Sequence, residues 1–230
     1  MPENHARMGA EIIISYDGTA NDHDALVLGK LLAADPGKLA LAYVRHSPEF
    51  DPKREELAQH DAQRRVERGA ELLGNPNIPR HVVFSGSTGA GLEELARAEG
   101  ASLIVFGSDY RTPPGHAEPP TSAQRILEIG AIGIGVAAAG LRAVPEPKIE
   151  TIAVLPIEQD GAVQQTADAL ASKLGARVVT VDGANADLIV VGSQPGAPAG
   201  RLALSGSVRA LLDRSRGSVL VVPSGKPVRL

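Results

Sequence analysis

The chain has 230 residues, 43% of them hydrophobic, a formal net charge of -4 and no cysteine. That length holds one large domain or two small ones around a buried core, and the charge gives no electrostatic pull towards nucleic acid or an anionic membrane. The missing cysteines exclude disulfides and thiolate metal sites, and three Phe, three Tyr and no Trp leave little for recognition by stacked aromatics.

The amino-terminal stretch MPENHARMGAEIIIS lacks the apolar core of a signal peptide. The longest weakly polar run, IGAIGIGVAAAGL, is too short and glycine-rich to span a bilayer. A cytoplasmic protein with no membrane or nucleic-acid partner is therefore expected. In chain order, strands are predicted at about 11–16, 39–44, 80–85, 102–107 and 132–137, from short β-branched runs bounded by turn residues. Helices are predicted between them: NDHDALVLGKLLAAD, a long amphipathic helix from about Lys53 to Leu73, LEELARAEG and AQRILEI. The segment GLRAVPEPKIE reads as a linker. After it come a strand (TIAVLP), a helix (DGAVQQTADALASKL), a strand (ARVVTV), a strand (DLIVVG), a glycine-rich loop leading into a helix near Gly206, and a last strand (SVLVVP).

An internal repeat organises this order. Residues 100–140 align with residues 185–225 at an offset of 85 without a gap, and 12 of 41 positions are identical. The identities include Gly107 with Gly192, Ser108 with Ser193, Gly115 with Gly200, Ser122 with Ser207 and Gly140 with Gly225. The second half lacks about fifty residues, one strand and its flanking helices, so a complete unit at 1–143 and a shortened one at 144–230 are expected.

Alternating strands and helices imply right-handed βαβ units and a mostly parallel, doubly wound sheet in each half. With strand order 3-2-1-4-5, a ligand crevice lies beyond the carboxyl ends of strands 1 and 4. In the first half Asp17, Gly18 and Thr19 arrive there from one strand, Gly107 and Ser108 from the other. In the second half Gly192 and Ser193 end strand 4, and the loop runs to Gly206 and Ser207. Backbone amides, a hydroxyl and a helix amino terminus there suit a polyphosphate.

SYDGTANDHDAL with LIVFGSDY, and LIVVGSQPG with GSVRALL and GSVLVVPSG, resemble the universal stress protein family, as a tandem over essentially the whole chain. The resemblance implies two adenine nucleotide alpha hydrolase-like sheets, the second shortened, packed as an intramolecular pseudo-dimer through the final strands IGIGVAA and SVLVVP. A homodimer of the chain is a further arrangement, and the protein partner is unknown. The resemblance also implies a stress-response protein that binds ATP or a related adenine nucleotide, with Mg accompanying it, and does not turn it over efficiently.

By the same resemblance Asp17 meets the adenosine end, Val44 lines adenine, and Gly107 and Ser108 form the crevice floor. Gly192, Ser193, Gly196, Gly206, Ser207 and Val208 contact phosphate in the second copy. The family's loop pattern G-x2-G-x9-G-[ST] is broken in both halves. In the first it places Tyr110 and Pro120 at glycine positions and Thr121, beside Ser122, at the hydroxyl position. In the second a residue is inserted between Gly192 and Gly196, and Pro156 is the nearest equivalent of Asp17, with Glu158 or Asp160 able to replace it only along a different loop path.

Ordinary structural duties compete with each assignment. Asp17 suits a turn or a helix start, and Thr121 and Ser122 suit a helix cap. Histidines 5, 23, 46, 60, 81 and 116 show no ligand spacing, so no metal site is expected. The pattern of acids and lysine that a response regulator needs is absent. No nucleophile, base and orienting acid can be assembled, so no enzyme is expected. A nucleotide-free interaction scaffold is the main alternative, and a slow ATP hydrolase the lesser one.

Overall fold

A computed structural model describes residues 10–33, 35–155, 161–180, 186–212 and 215–230. The first half runs β1 (Ile12–Ser15), α1 (Ala20–Ala33), β2 (Leu39–Arg45), α2 (Pro52–Leu73), β3 (Arg80–Phe84), α3 (Thr88–Glu99), β4 (Leu103–Phe106), α4 (Thr121–Ile129) and β5 (Gly133–Val136). The second runs β6 (Thr151–Val154), α5 (Gly161–Leu174), β7 (Arg177–Thr180), β8 (Leu188–Gly192), α6 (Gly206–Leu212) and β9 (Ser218–Val222).

The strands are short apolar runs because both faces of the sheet are covered by helices. Ile12, Ile13 and Ile14 are all fully buried. Alternation sends Ile12 and Ile14 to one core, with Leu28, Leu32 and Leu39, and Ile13 to the other, with Ala40, Ile104 and Phe106. Helix ends carry legible signals. Asp51 accepts hydrogen bonds from the Lys53 and Arg54 amides to start α2, and Gly74 at φ 73° closes it. The third helix starts at Thr88, ahead of the LEELARAEG segment read from the sequence, because the Ser87 side chain accepts from the Ala90 amide.

Among the described residues the sheet order is β3-β2-β1-β4-β5-β9-β8-β6-β7. The first half thus has the expected 3-2-1-4-5 winding, all parallel. The expectation of two sheets is corrected: β5 and β9 pair antiparallel, Ile134 opposite Val221 and Val136 opposite Val219, and fuse the halves into one sheet. This pairing covers what would otherwise be two exposed strand edges.

The 85-residue offset holds in the backbone: β4, α4 and β5 begin at 103, 121 and 133, and β8, α6 and β9 at 188, 206 and 218. The loops after β4 and β8 repeat their hydrogen bonds at the same offset. The Asp109, Thr112, Gly115 and His116 amides donate to the Glu118, Asp109, Ala139 and Pro113 carbonyls; those of Gln194, Ala197, Gly200 and Arg201 donate to Ala203, Gln194, Ser224 and Pro198.

The segment read as a linker is anchored at its start. Asp24 of α1, fully buried, accepts from the amides of Gly140 (2.9 Å) and Arg142 (2.6 Å) and pairs with the Arg142 guanidinium (2.6 Å). Of the sequence-stretch alternatives to Asp17, Pro156, Glu158 and Asp160 lie outside the described residues.

Candidate functional site

A cleft of about 490 Å³ opens where the carboxyl ends of β1 and β4 diverge. Of the residues expected there, Asp17, Thr19, Val44, Gly107, Ser108 and Ser122 line it together. Gly18 forms the turn behind it at φ 90°, and Thr121 is the exposed first residue of α4. Tyr16, Ala42, Asp22, His46, Arg65, Thr88, Asp109 and Tyr110 are among the other lining residues.

The β1 side is a carboxylate pair. Asp22 Oδ2 accepts from the Asp17 amide (3.0 Å), the Thr19 amide (3.0 Å) and the Thr19 hydroxyl (2.9 Å), while Asp17 Oδ1 accepts from the Thr19 amide (3.1 Å). Asp17 thus holds the turn and also faces the cleft. Burial, followed by the hydrogen bond and charge of Asp17, pushes the Asp22 carboxyl up to about 7. The hydrogen bond from Asp22, with smaller help from Thr19 and Arg65, holds Asp17 below its usual value.

The sign of this shift makes a stability prediction. The folded Asp22 keeps its proton between the ordinary value of 3.8 and about 7, where the unfolded chain has lost it. Its contribution is therefore full below the lower value, falls as pH rises through the window and is gone above it. Asn at position 22 mimics the protonated form: its oxygen accepts the same three bonds and its amide donates to Asp17. Asp22→Asn is expected to raise stability by about 1–3 kcal/mol at pH 8, the opposite shift of Asp17 offsetting the rest, with a smaller gain at pH 5. Urea unfolding at the two pH values checks this; an equal effect at both contradicts it.

The end of β2, with Arg65 of α2 and Thr88 of α3, forms the opposite wall. Val44 is buried beside Tyr43, whose ring carries the Arg65 guanidinium at 4.7 Å. His46 Nδ1 lies 3.1 Å from the Ser85 carbonyl, which only accepts, so Nδ1 holds the proton and Nε2 takes the Thr88 hydroxyl at 3.2 Å. Arg45, next along, is buried against Glu55 in a bidentate pair at 2.8 Å and does not reach the cleft.

The β4 end has a packing duty. A Cβ at Gly107 would lie 2.2 Å from the Asn21 carbonyl oxygen, and Asn21 Nδ2 donates to the Ser108 carbonyl at 2.8 Å. The Ser108 hydroxyl donates to the Ala137 carbonyl (2.6 Å) and accepts from the Glu118 amide (3.2 Å). Pro120 stands at the N-cap position of α4 and no side chain caps that end, so the capping duty considered for Thr121 and Ser122 is not what these residues do.

The second-half residues do not join this cleft. Gly192 ends β8, Gly196 turns at φ 84°, and Gly206 and Ser207 start α6. Ser193 repeats the Ser108 circuit: its hydroxyl faces the Arg201 (2.9 Å) and Val222 (3.3 Å) carbonyls and accepts from the Ala203 amide (3.2 Å). Val208 belongs to the apolar core with Leu202, and its amide donates to Ser205 Oγ at 3.2 Å. This loop also docks on the first half, the Leu202 amide donating to the Gly130 carbonyl at 2.7 Å and the Arg201 guanidinium to that of Ile129 at 3.1 Å.

Asp22, His46, Arg65, Thr88 and Asp109 were not singled out from the sequence. An acid in a first helical turn is ordinary, and the other four come from elements far apart in the chain.

A doubly wound α/β fold with its crevice between the first and fourth strands defines the class. Residues 10–117 match the universal stress protein family, and this part of the chain is a domain of that family. The fold matches a universal stress protein from Archaeoglobus fulgidus with a TM-score of 0.64 and 13% identity, covering 93% of this chain and 98% of that one. A structure from Pseudomonas aeruginosa UCBPP-PA14, named as a universal stress protein, matches at 0.62 and 13%, over 96% and 95%. A protein of unknown function from Pseudomonas aeruginosa PAO1 matches at 0.60 and 14%, with the same coverages. At these identities the likeness is one of fold. No curated protein matches the chain. No helix among the described residues is long and apolar enough to cross a membrane.

Proposed function

We propose that this protein is a cytoplasmic stress-response protein whose first-half cleft binds an adenine nucleotide without efficient turnover. The observation that carries this reading is the cleft itself: about 490 Å³ at the switch point of a universal stress protein domain, with an apolar wall facing a carboxylate pair. Small-molecule sites span roughly 300–1,000 Å³ and combine apolar lining with a few convergent polar groups. Val44 and Ala42 supply a surface for a purine, and Asp17 and Asp22 supply acceptors for the ribose hydroxyls.

Turnover needs a positioned base or a metal-held water. Among the described residues no three His, Cys, Asp or Glu gather to hold a metal, so magnesium would arrive on the nucleotide's own phosphates. His46 is tied to Ser85 and Thr88 and supports the wall.

We read the residues beyond 143 as a shortened second copy joined to the first as a pseudo-dimer. The common offset of elements, the repeated loop hydrogen bonds and the antiparallel β5–β9 pairing support this. In this reading the second copy contributes structure and the first keeps the site.

The test is to denature the purified protein, chromatograph the released small molecules, and record thermal shifts with adenosine, AMP, ADP and ATP plus magnesium. A ligand at a hundred times its Kd adds about 2.7 kcal/mol, or roughly 5–10 °C for a chain of this size. At least one adenine compound is expected to give such a shift, and Val44→Arg, which fills the purine wall, to abolish it. No released adenine compound and no shift would instead favour the nucleotide-free scaffold.

A further inference from the structure

We propose that the cleft, taken as an adenine site as above, selects the unphosphorylated nucleoside over the triphosphate. A phosphate chain leaving an adenosine held by Asp17 and Val44 would have to be met by the loop from Gly107 to Pro120. That loop has few amides to offer.

Four of its residues, Pro113, Pro114, Pro119 and Pro120, have no N–H. Six more amides are committed inside the fold: Asp109 to Glu118, Arg111 to Asp109 Oδ1, Thr112 to Asp109, Gly115 to Ala139, His116 to Pro113 and Glu118 to Ser108 Oγ. At the start of α4 the Ala123 and Gln124 amides both donate to the Pro120 carbonyl, which leaves the amides of Thr121 and Ser122 there. The Ser108 hydroxyl already donates to Ala137.

The charge of the lining opposes phosphate as well. Asp17, Asp22 and Asp109 face the cleft with Arg65 as the lining arginine, and Arg65 lies over Tyr43 and lowers the Asp17 carboxyl. Carboxylates accept hydrogen bonds and donate none while ionised, so they suit the hydroxyls of a ribose and repel a polyphosphate. Among adenine compounds the chemistry that fits best is therefore the one with the least phosphate, its diol on the Asp17–Asp22 pair.

Isothermal titration calorimetry with adenosine, AMP and ATP plus magnesium tests this on the full chain at pH 7.5. Adenosine is expected to bind at least tenfold tighter than ATP, with AMP between them. Raising the salt should narrow the gap by screening repulsion. Asp109→Asn, which keeps the acceptor for the Arg111 amide and removes a charge, should narrow it too. ATP binding as tightly as adenosine or tighter overturns the selectivity and leaves the adenine site standing. Binding by none of the three overturns both.

Discussion

Asp24→Ala is expected to lower the stability of the chain by about 3–5 kcal/mol, because it removes a buried anion that organises three donors. The carboxylate is fully buried, and two of its partners are the amides of Gly140 and Arg142, which lose a charged acceptor and gain none. A hydrogen bond to a charged group contributes about 1.5–3 kcal/mol, and an unsatisfied buried amide costs a similar amount. Arg142 is partly exposed and would find water, so its loss adds little. Asp24→Asn should fall between wild type and alanine, since its oxygen still serves one amide while its NH2 opposes the other. Urea unfolding of the three proteins gives the ranking. A loss below about 1 kcal/mol for alanine would mean that the turn at Leu141–Ala143 holds without α1, and the anchoring role would fall.

That prediction could not have been made from the sequence. Asp24 sits among Asn21, Asp22 and His23, where an acid reads as a helix-start residue on a solvated face, and its partners lie 116 and 118 residues away. The same limit explains the cleft. Asp17, Val44 and Gly107 were legible because strand ends can be read from β-branched runs and strand order from the βαβ rule. Arg65 and Thr88 were not, because helix phase relative to a sheet depends on packing between distant segments. The gap-free repeat fixed the starts of three elements in each half and the loops between them. It could not decide between two sheets and one, since that turned on the antiparallel meeting of β5 and β9. Gly196 of the second loop, expected to contact phosphate, turns at φ 84° in a loop that also docks on the first half, a packing duty that the sequence did not show.

Gly107→Ala separates the two meanings of a glycine at the end of β4. If that glycine served only to let a phosphate approach, alanine would weaken ligand binding and leave the unliganded protein intact. The structure assigns it a tighter constraint. The added Cβ would lie 2.2 Å from the Asn21 carbonyl oxygen and 2.5 Å from its carbon, both main-chain atoms at the start of α1. Backbone cannot rotate away as the tip of a side chain can, so either β4 or the amino end of α1 must shift. Overpacking in well-packed regions costs about 1–3 kcal/mol and occasionally more, and a clash with main chain on both sides belongs at the upper end. A loss of about 3 kcal/mol corresponds to a fall of roughly 6–12 °C in Tm for a chain of this length. Gly86→Ala is the control, because its Cβ would meet nothing within 4 Å; its Tm should stay close to that of wild type. Displacement of Asn21 would also stretch its bond to the Ser108 carbonyl and carry Asp22 away from Asp17 and Thr19. Gly107→Ala should therefore flatten the pH dependence ascribed to Asp22 as well as lower Tm, a pair of effects that loss of a phosphate contact alone does not produce. An unchanged Tm in the absence of ligand would remove this packing duty from Gly107.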